Sequence, residues 1–515
     1  MKGLSASTER KAGAVLSYAQ VFLSVLTGLL YTPVMLRLMG QHEYGLYGTV
    51  NSAISMLSLL DLGFTSSYIR FYSKYKAENL QNKINSFNSL FFIVFVVISV
   101  IAAVIGSFLS FDPAIIFDNG LTSQELSKAK IMMFLLTISM VLGFLHTVFG
   151  CYISANQKFV FSKGVSIVTI IITVAVNVVV LFLGYGAVGL IIVALVIGII
   201  NKGVTIFYAY KNLGFKFDFK NIDTKLFKSV LTFSGLIAIN MFVDKVNSGV
   251  DSVLLGRFCG TAAVAVYSVG ASLNSHFTTF STAISGVFTP HIHNLVNSHK
   301  MDSMEQRKAL TSFFVKVGRL QYLLLALIAS GVVFFGKAFI YFWAGEGYDE
   351  AYYIAIILIL PSIISLTQNV GIEIQRAENR HHYRAYIYGA MAIINLIISI
   401  FLCQIWQGIG AAIGTGIASL LANGLIMDIV YHKKINIDII SYWKNIGKQT
   451  LGMLPPFFVG ILIMKFIEIN SLIQLVLWIV VYSLVYCICV WLFSMNTYEK
   501  NLLLGCLKKF KRKIK

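Results

Sequence analysis

Apolar stretches of about 20 residues recur along the whole chain, divided by short polar segments. A helix of that length crosses the roughly 30 Å hydrocarbon core of a bilayer. The approximate stretches are 14–36, 44–64, 87–109, 131–152, 163–183, 187–208, 229–255, 263–289, 320–341, 351–372, 385–404, 409–430, 451–468 and 472–494. The pattern predicts an all-α polytopic membrane protein with about fourteen transmembrane helices. Short polar breaks at Leu183–Gly186 and Gln404–Gly408 predict tight helical hairpins. Two stretches fit less well: 451–468 is short and holds Pro455 and Pro456, and 44–64 holds Asp61.

Composition agrees with the pattern. The chain is 57% apolar and 12% charged, against about 25% charged in ordinary soluble proteins. Net charge is +19, but the positive residues do not form a nucleic-acid patch. They cluster at the N-terminus, in 65–86, 153–163, 202–228, 290–319, 373–384 and 431–450, and in the tail, which hold most of the 41 Lys and Arg. The intervening segments 110–130 and 342–350 are acidic or poor in bases. Basic segments mark the cytoplasmic side, so both termini are expected in the cytoplasm and the number of spans is even. The first apolar run is full length and lacks a small-residue cleavage site, so it reads as a retained span rather than a signal peptide.

The chain also repeats itself. Leu38–Met39–Gly40 precedes Tyr47 as Phe258–Cys259–Gly260 precedes Tyr267, and Ala155–Asn156–Gln157–Lys158 is echoed by Ala377–Glu378–Asn379–Arg380. The offset is 220 to 222 residues. We therefore expect an N-terminal lobe, residues 1–215 with six spans, and a C-terminal lobe, 216–435 with six more. An added helix pair and basic tail would occupy 436–515. Parallel repeats of this kind are related by an axis along the membrane normal.

Candidate chemistry is sparse. The six cysteines include no CxxC pair, and His291 and His293 have no Cys or acid at ligand spacing, so neither a metal site nor a disulfide framework is expected. No phosphate-binding GxxxxGK[ST] loop and no set of nucleophile, base and acid emerges, so the protein reads as a non-enzyme without cofactors. The exception is Leu231 to Arg257, which carries Asn240, Asp244, Lys245, Asn247 and Asp251 before Arg257. Charges within hydrocarbon are costly and face a bundle interior or a wet cavity. Spacings of four, three and four align Asn240, Asp244, Asn247 and Asp251 along one helix face. That stripe is either glue between packed helices or the polar wall of a transport path. Arg37, after Pro33, and Arg257 end corresponding helices of the two repeats and would together attract a pyrophosphate or an acidic glycan.

Leu38–Met39–Gly40–Gln41–His42–Glu43–Tyr44–Gly45–Leu46–Tyr47, Leu59–Leu60–Asp61–Leu62–Gly63 and Ser67–Tyr68–Ile69–Arg70–Phe71–Tyr72 resemble elements of the polysaccharide biosynthesis and O-antigen flippases. Asp251–Ser252–Val253–Leu254–Leu255–Gly256, with Gly260 and Tyr267, resembles the matching element of the second half. That family lies within the multidrug/oligosaccharidyl-lipid/polysaccharide exporter superfamily. The resemblance implies two six-helix lobes around a central cavity, and alternating access. It implies transfer of an undecaprenyl-pyrophosphate-linked oligosaccharide from the inner to the outer leaflet of a bacterial cell membrane, with envelope glycosyltransferases or a polymerase as further partners. On that reading Arg37, Lys245 and Arg257 recognise the anionic substrate, and Asn240 and Asn247 bind sugar. Asp61, Asp244 and Asp251 balance charge or couple to a proton or sodium gradient. The competing expectations are a cation-coupled multidrug antiporter, a flippase for a peptidoglycan or teichoic acid precursor, and a non-transport scaffold for envelope assembly.

Overall fold

The computed structural model describes residues 6–505 except 118–119, 221, 223, 286–287, 297–302, 379, 381 and 503. The described secondary structure is helical throughout. Nine of its helical segments are long and apolar enough to cross a membrane, or ten if the bent pair Ile439–Leu451 and Leu454–Phe466 is one span. The protein is therefore an all-α, multi-pass membrane protein.

The chain packs as two compact units, Met1–Ser268 with Leu396–Ala411, and Val269–Asn395 with Ala412–Lys515. The first unit opens on α1 (Ala6–Ser55), which is broken at Gly40, where φ is 75° and ψ is 170°. Glycine has no Cβ to forbid that conformation. A 3₁₀ turn, Met56–Asp61, ends with Leu62 and Gly63 both left-handed and leads into α2 (Phe64–Ala77). There follow α3 (Gln81–Phe111), the single-turn α4 (Ala114–Phe117), α5 (Ser123–Ala155), α6 (Phe159–Phe182), α7 (Gly186–Leu213) and α8 (Thr224–Phe258). Helix α9 (Thr261–Ser285) begins in this unit.

An aromatic core ties α2, α3 and α5 together with the segment after α7. Tyr68 stacks edge-on against Phe91 at 5.2 Å and donates its hydroxyl to Asn88 Oδ1 at 2.5 Å. Phe149 and Tyr152 pack on Phe215, each at 4.9 Å.

The second unit contains α10 (Thr289–Val296), α11 (Ser303–Ala344), α12 (Glu350–Thr367) and α13 (Asn369–Ala377). It also holds most of α14 (His382–Ser419), whose helix breaks at Trp406 and Gln407 within the expected 404–408 turn. Beyond lie α15 (Met427–Lys433), α16 (Ile439–Leu451), α17 (Leu454–Phe466) and α18 (Leu472–Cys489). Pro455 and Pro456 fall in the first turn of α17, where a missing N–H costs nothing, and α16 and α17 meet at 47°.

Several basic segments expected as loops are helices. Helix α2 buries Phe64, Ser67, Tyr68 and Tyr72, and α16 buries Ile439, Tyr442, Ile446 and Gln449. These spacings form one helical face. A long window averages such a face with its charged opposite and returns a polar loop.

Candidate functional site

Helix α8 carries the predicted polar stripe, and small residues hold it close to its neighbours. At Gly63, φ is +78°, and a Cβ there would lie 2.7 Å from Ile237 Cβ and 3.1 Å from Ser234 O. Any side chain would push α8 away. Beside it the Ser67 and Ser234 hydroxyls share a hydrogen bond of 2.6 Å. Towards the other end, a Cβ on Gly256 would enter the Thr49 side chain, one on Gly120 would strike Gly256 O, and one on Gly45 would strike Thr261 O. Gly45, Gly63 and Gly256 thus serve close approach among α1, the start of α2, α8 and the start of α9.

Asp251 is 5% exposed and accepts a short hydrogen bond from the Tyr267 hydroxyl on α9. Arg257 is half-buried, and its Nη1 donates to Ile115 O at 3.3 Å and Ile116 O at 3.0 Å, capping α4. The guanidinium also lies 5.8 Å from the Phe258 ring centre. Asp61 is half-buried and accepts from Thr65 Oγ1 at 2.8 Å within its own turn. Arg37 is exposed on α1 between Pro33 and Gly40, and Lys245 is half-buried.

The side chains of Asn240, Asp244 and Asn247 lie outside the described residues; their backbone is helical within α8. Helical geometry places these three and Asp251 within about 60° of one another around the axis. At its Asp251 end that face meets Tyr267, so there it is packed against protein. Asp61, Asp251 and Arg257 thus engage different partners: a turn, a phenol and a helix end.

A second polar cluster escaped the sequence reading. Thr122 and Glu125 form a capping box at the start of α5, with Thr122 N donating to Glu125 Oε2 at 2.8 Å and Glu125 N to Thr122 Oγ1 at 3.3 Å. The other carboxylate oxygen accepts from Thr261 Oγ1 at 2.6 Å. His42 Nδ1 lies 3.1 Å from the same hydroxyl and 3.8 Å from Glu125 Oε1. Next to it in sequence, Glu43 accepts from Ala187 N at 2.9 Å, at the positive end of α7, and sits 3.5 Å from Lys128. His42 and Glu43, within the first resembling motif, therefore belong to a clasp joining α1, α5, α7 and α9. The Thr122-x-x-Glu125 spacing was visible as a capping box. Its link to Thr261 was not. Among the described residues, no three His, Cys, Asp or Glu side chains converge as metal ligands.

The sequence profile of the polysaccharide biosynthesis protein family matches residues 11–296. The chain belongs to that family. The motifs that carry the resemblance, from Leu38 to Tyr267, fall inside the match. No protein of curated function matches the chain in sequence.

Among solved structures, the inward closed conformation of the lipid II flippase MurJ aligns with a TM-score of 0.72 and 16% identity, covering 95% of this chain and 99% of that one. A eukaryotic MATE transporter, AtDTX14, aligns at 0.56 and 17% identity, covering 82% and 96%. The Vibrio cholerae MATE transporter VcmN in its bent form aligns at 0.53 and 12%, covering 82% and 95%. At these identities the likeness is one of fold. This chain shares its architecture with these transporters, and the likeness extends well beyond the residues that the family profile matches.

Proposed function

We propose that the protein is a flippase. It moves an oligosaccharide linked to undecaprenyl pyrophosphate from the inner to the outer leaflet of a bacterial inner membrane, for surface polysaccharide synthesis. The observation that carries this reading is the joint one of family and fold. The family is that of polysaccharide biosynthesis, and the lipid II flippase aligns over almost all of both chains while the two MATE transporter structures cover 82% of this one.

Segment length supports a fourteen-span topology. The segments Ala12–Ala77 and His382–Lys433 hold 66 and 52 residues. At ~1.5 Å per residue they are far longer than one bilayer, and each is broken near its middle third, at Gly40 and at Trp406–Gln407. Counting each twice, the bent pair once, and adding α8 and α9 makes fourteen. The basic segments then fall on one side, and both termini lie in the cytoplasm. Lobes at 1–215 and 216–435, with a helix pair at 436–515, follow the internal repeat.

Transport proceeds by alternating access. Lys245, Arg257 and Arg37 recognise pyrophosphate or acidic sugar. Asn240 and Asn247 hydrogen-bond the glycan. Asp61, Asp244 and Asp251 balance charge or couple transport to a cation gradient. The guanidinium of Arg257, held by two carbonyls, would be presented with little loss of rotamer freedom.

The test uses purified protein in liposomes containing a fluorescent undecaprenyl-pyrophosphate oligosaccharide. The expected result is protein-dependent exposure of the lipid to an external quencher. A Lys245→Ala, Asp251→Asn double variant that folds should transfer at least tenfold more slowly. Wild-type rates in that variant would overturn the residue assignment. Absence of lipid transfer, together with efflux of cationic dyes, would replace the flippase with an antiporter; absence of both would favour a scaffold.

A further inference from the structure

A cleft of ≈ 560 Å³ opens in the second unit, away from every residue assigned above. One wall is a single face of α11, carrying Lys308, Thr311, Ser312 and Lys316 and ending at Arg319. The facing wall is Asn436, Ser441 and Asn445, at the start of α16, with Asn496 closing one side.

The walls are pinned around the opening. Asp438 N donates to Thr311 Oγ1 at 3.2 Å, and Arg319 Nη1 donates to Asn445 O at 3.2 Å. Asn496 Oδ1 accepts from Glu499 N at 2.9 Å, which leaves its amide nitrogen as a donor toward other groups. The cleft is thus built before any ligand arrives.

Its charge balance is positive. Arg319 is matched by Glu499, and Arg307 pairs with Glu378. The one carboxylate in the lining, Asp438, caps α16 through Ser441 N at 3.0 Å. Lys308 and Lys316 are exposed on the same face, about 12 Å apart along the axis. Neutral amide and hydroxyl donors lie between and opposite them. Such a set suits an anion with several oxygen acceptors.

The surroundings set the depth of the cleft. The apolar run of α11 begins just after Arg319. Lys316 lies 5.1 Å from the Tyr498 ring centre, and Lys500 lies 5.8 Å from that of Trp491. Tyr498 is 47% exposed. Lysines beside Tyr and Trp at the end of a span mark the headgroup layer.

We propose that this cleft binds the phosphate headgroup of an anionic phospholipid, at a site separate from the transported substrate. Basic side chains near a membrane surface gain enough from an anionic lipid that loss of two should weaken binding about thirtyfold.

The test is native mass spectrometry of the full-length protein in detergent, titrated with phosphatidylglycerol, phosphatidylcholine and inorganic phosphate. Wild type should retain phosphatidylglycerol in preference to phosphatidylcholine. The Lys308→Gln, Lys316→Gln variant should lose that preference, about thirtyfold in apparent Kd. Lys308→Arg, Lys316→Arg should keep it, as should Lys444→Gln, a base on α16 that does not line the cleft. Undiminished phosphatidylglycerol binding in the double Gln variant would overturn the site. Displacement of the lipid by millimolar inorganic phosphate would overturn the lipid assignment in favour of a soluble phosphate.

Discussion

Glu499 is 1% exposed and Arg319 is 6% exposed. The two form a bidentate pair, Nε to Oε1 at 2.6 Å and Nη2 to Oε2 at 3.0 Å. Arg319 also donates to Asn445 O and Ser494 O, and its own carbonyl accepts from Gln449 Nε2 at 3.2 Å. One guanidinium therefore fastens α11 to α16 and to the segment after α18. Glu499→Ala strands that cation in a buried site, and breaking a buried pair from one side costs about 3–5 kcal/mol. The two carbonyl acceptors persist, which favours the lower end of the range. Glu499→Gln keeps one acceptor oxygen and should cost about 2–3 kcal/mol, the worth of hydrogen bonds to a charged group. Replacing both partners with apolar residues, Arg319→Met with Glu499→Leu, removes the stranded charge and should recover most of the loss. Unfolding of membrane proteins in detergent is often irreversible, so rank order is the secure readout. Thermal unfolding followed by size-exclusion fluorescence should give wild type above the double variant, and the double variant above Glu499→Ala. A Glu499→Ala protein as stable as wild type, or a double variant weaker than the single, would refute the reasoning.

Two further outcomes follow from the first unit. Gly45→Ala places a methyl on Thr261 O, which is backbone and cannot rotate away; overpacking of this kind costs about 1–3 kcal/mol or more. Gly143→Ala, with nothing within 4 Å, should be neutral or slightly stabilising, so equal expression and thermal stability of the two would contradict the close-approach account. Tyr267→Phe removes a hydrogen-bond donor to buried Asp251 and should destabilise by about 1–3 kcal/mol. Asp251→Asn, which can still accept from the phenol, should cost less in the same thermal assay.

The sequence by itself determined the class of the protein. Apolar runs long enough for a bilayer can only be helices there, because lipid offers backbone groups no partner. One break was also legible, since Gly40 falls between the stretches 14–36 and 44–64; Pro455 and Pro456, expected inside a single span, instead start α17. The motifs from Leu38 to Tyr72 pointed to the family that the profile match shows.

Their physical work was not legible. Gly45 and Gly63 read as motif letters until Thr261 and Ile237 were found against them. Glu43 read as a motif letter and Glu125 as an ordinary loop acid, yet their partners Ala187 and Thr261 lie 144 and 136 residues away. The basic segments hid the amphipathic helices α2, α13 and α16, because length-scale hydropathy averages over the period that reveals them. Arg319 appeared to be one more cytoplasmic charge, and only the return of the chain 180 residues later showed it to be a buried anchor. Hydropathy and turn chemistry act over a few residues and can be read along a line. Polar partnership and backbone approach depend on which distant segments meet, and only the tertiary structure decides that.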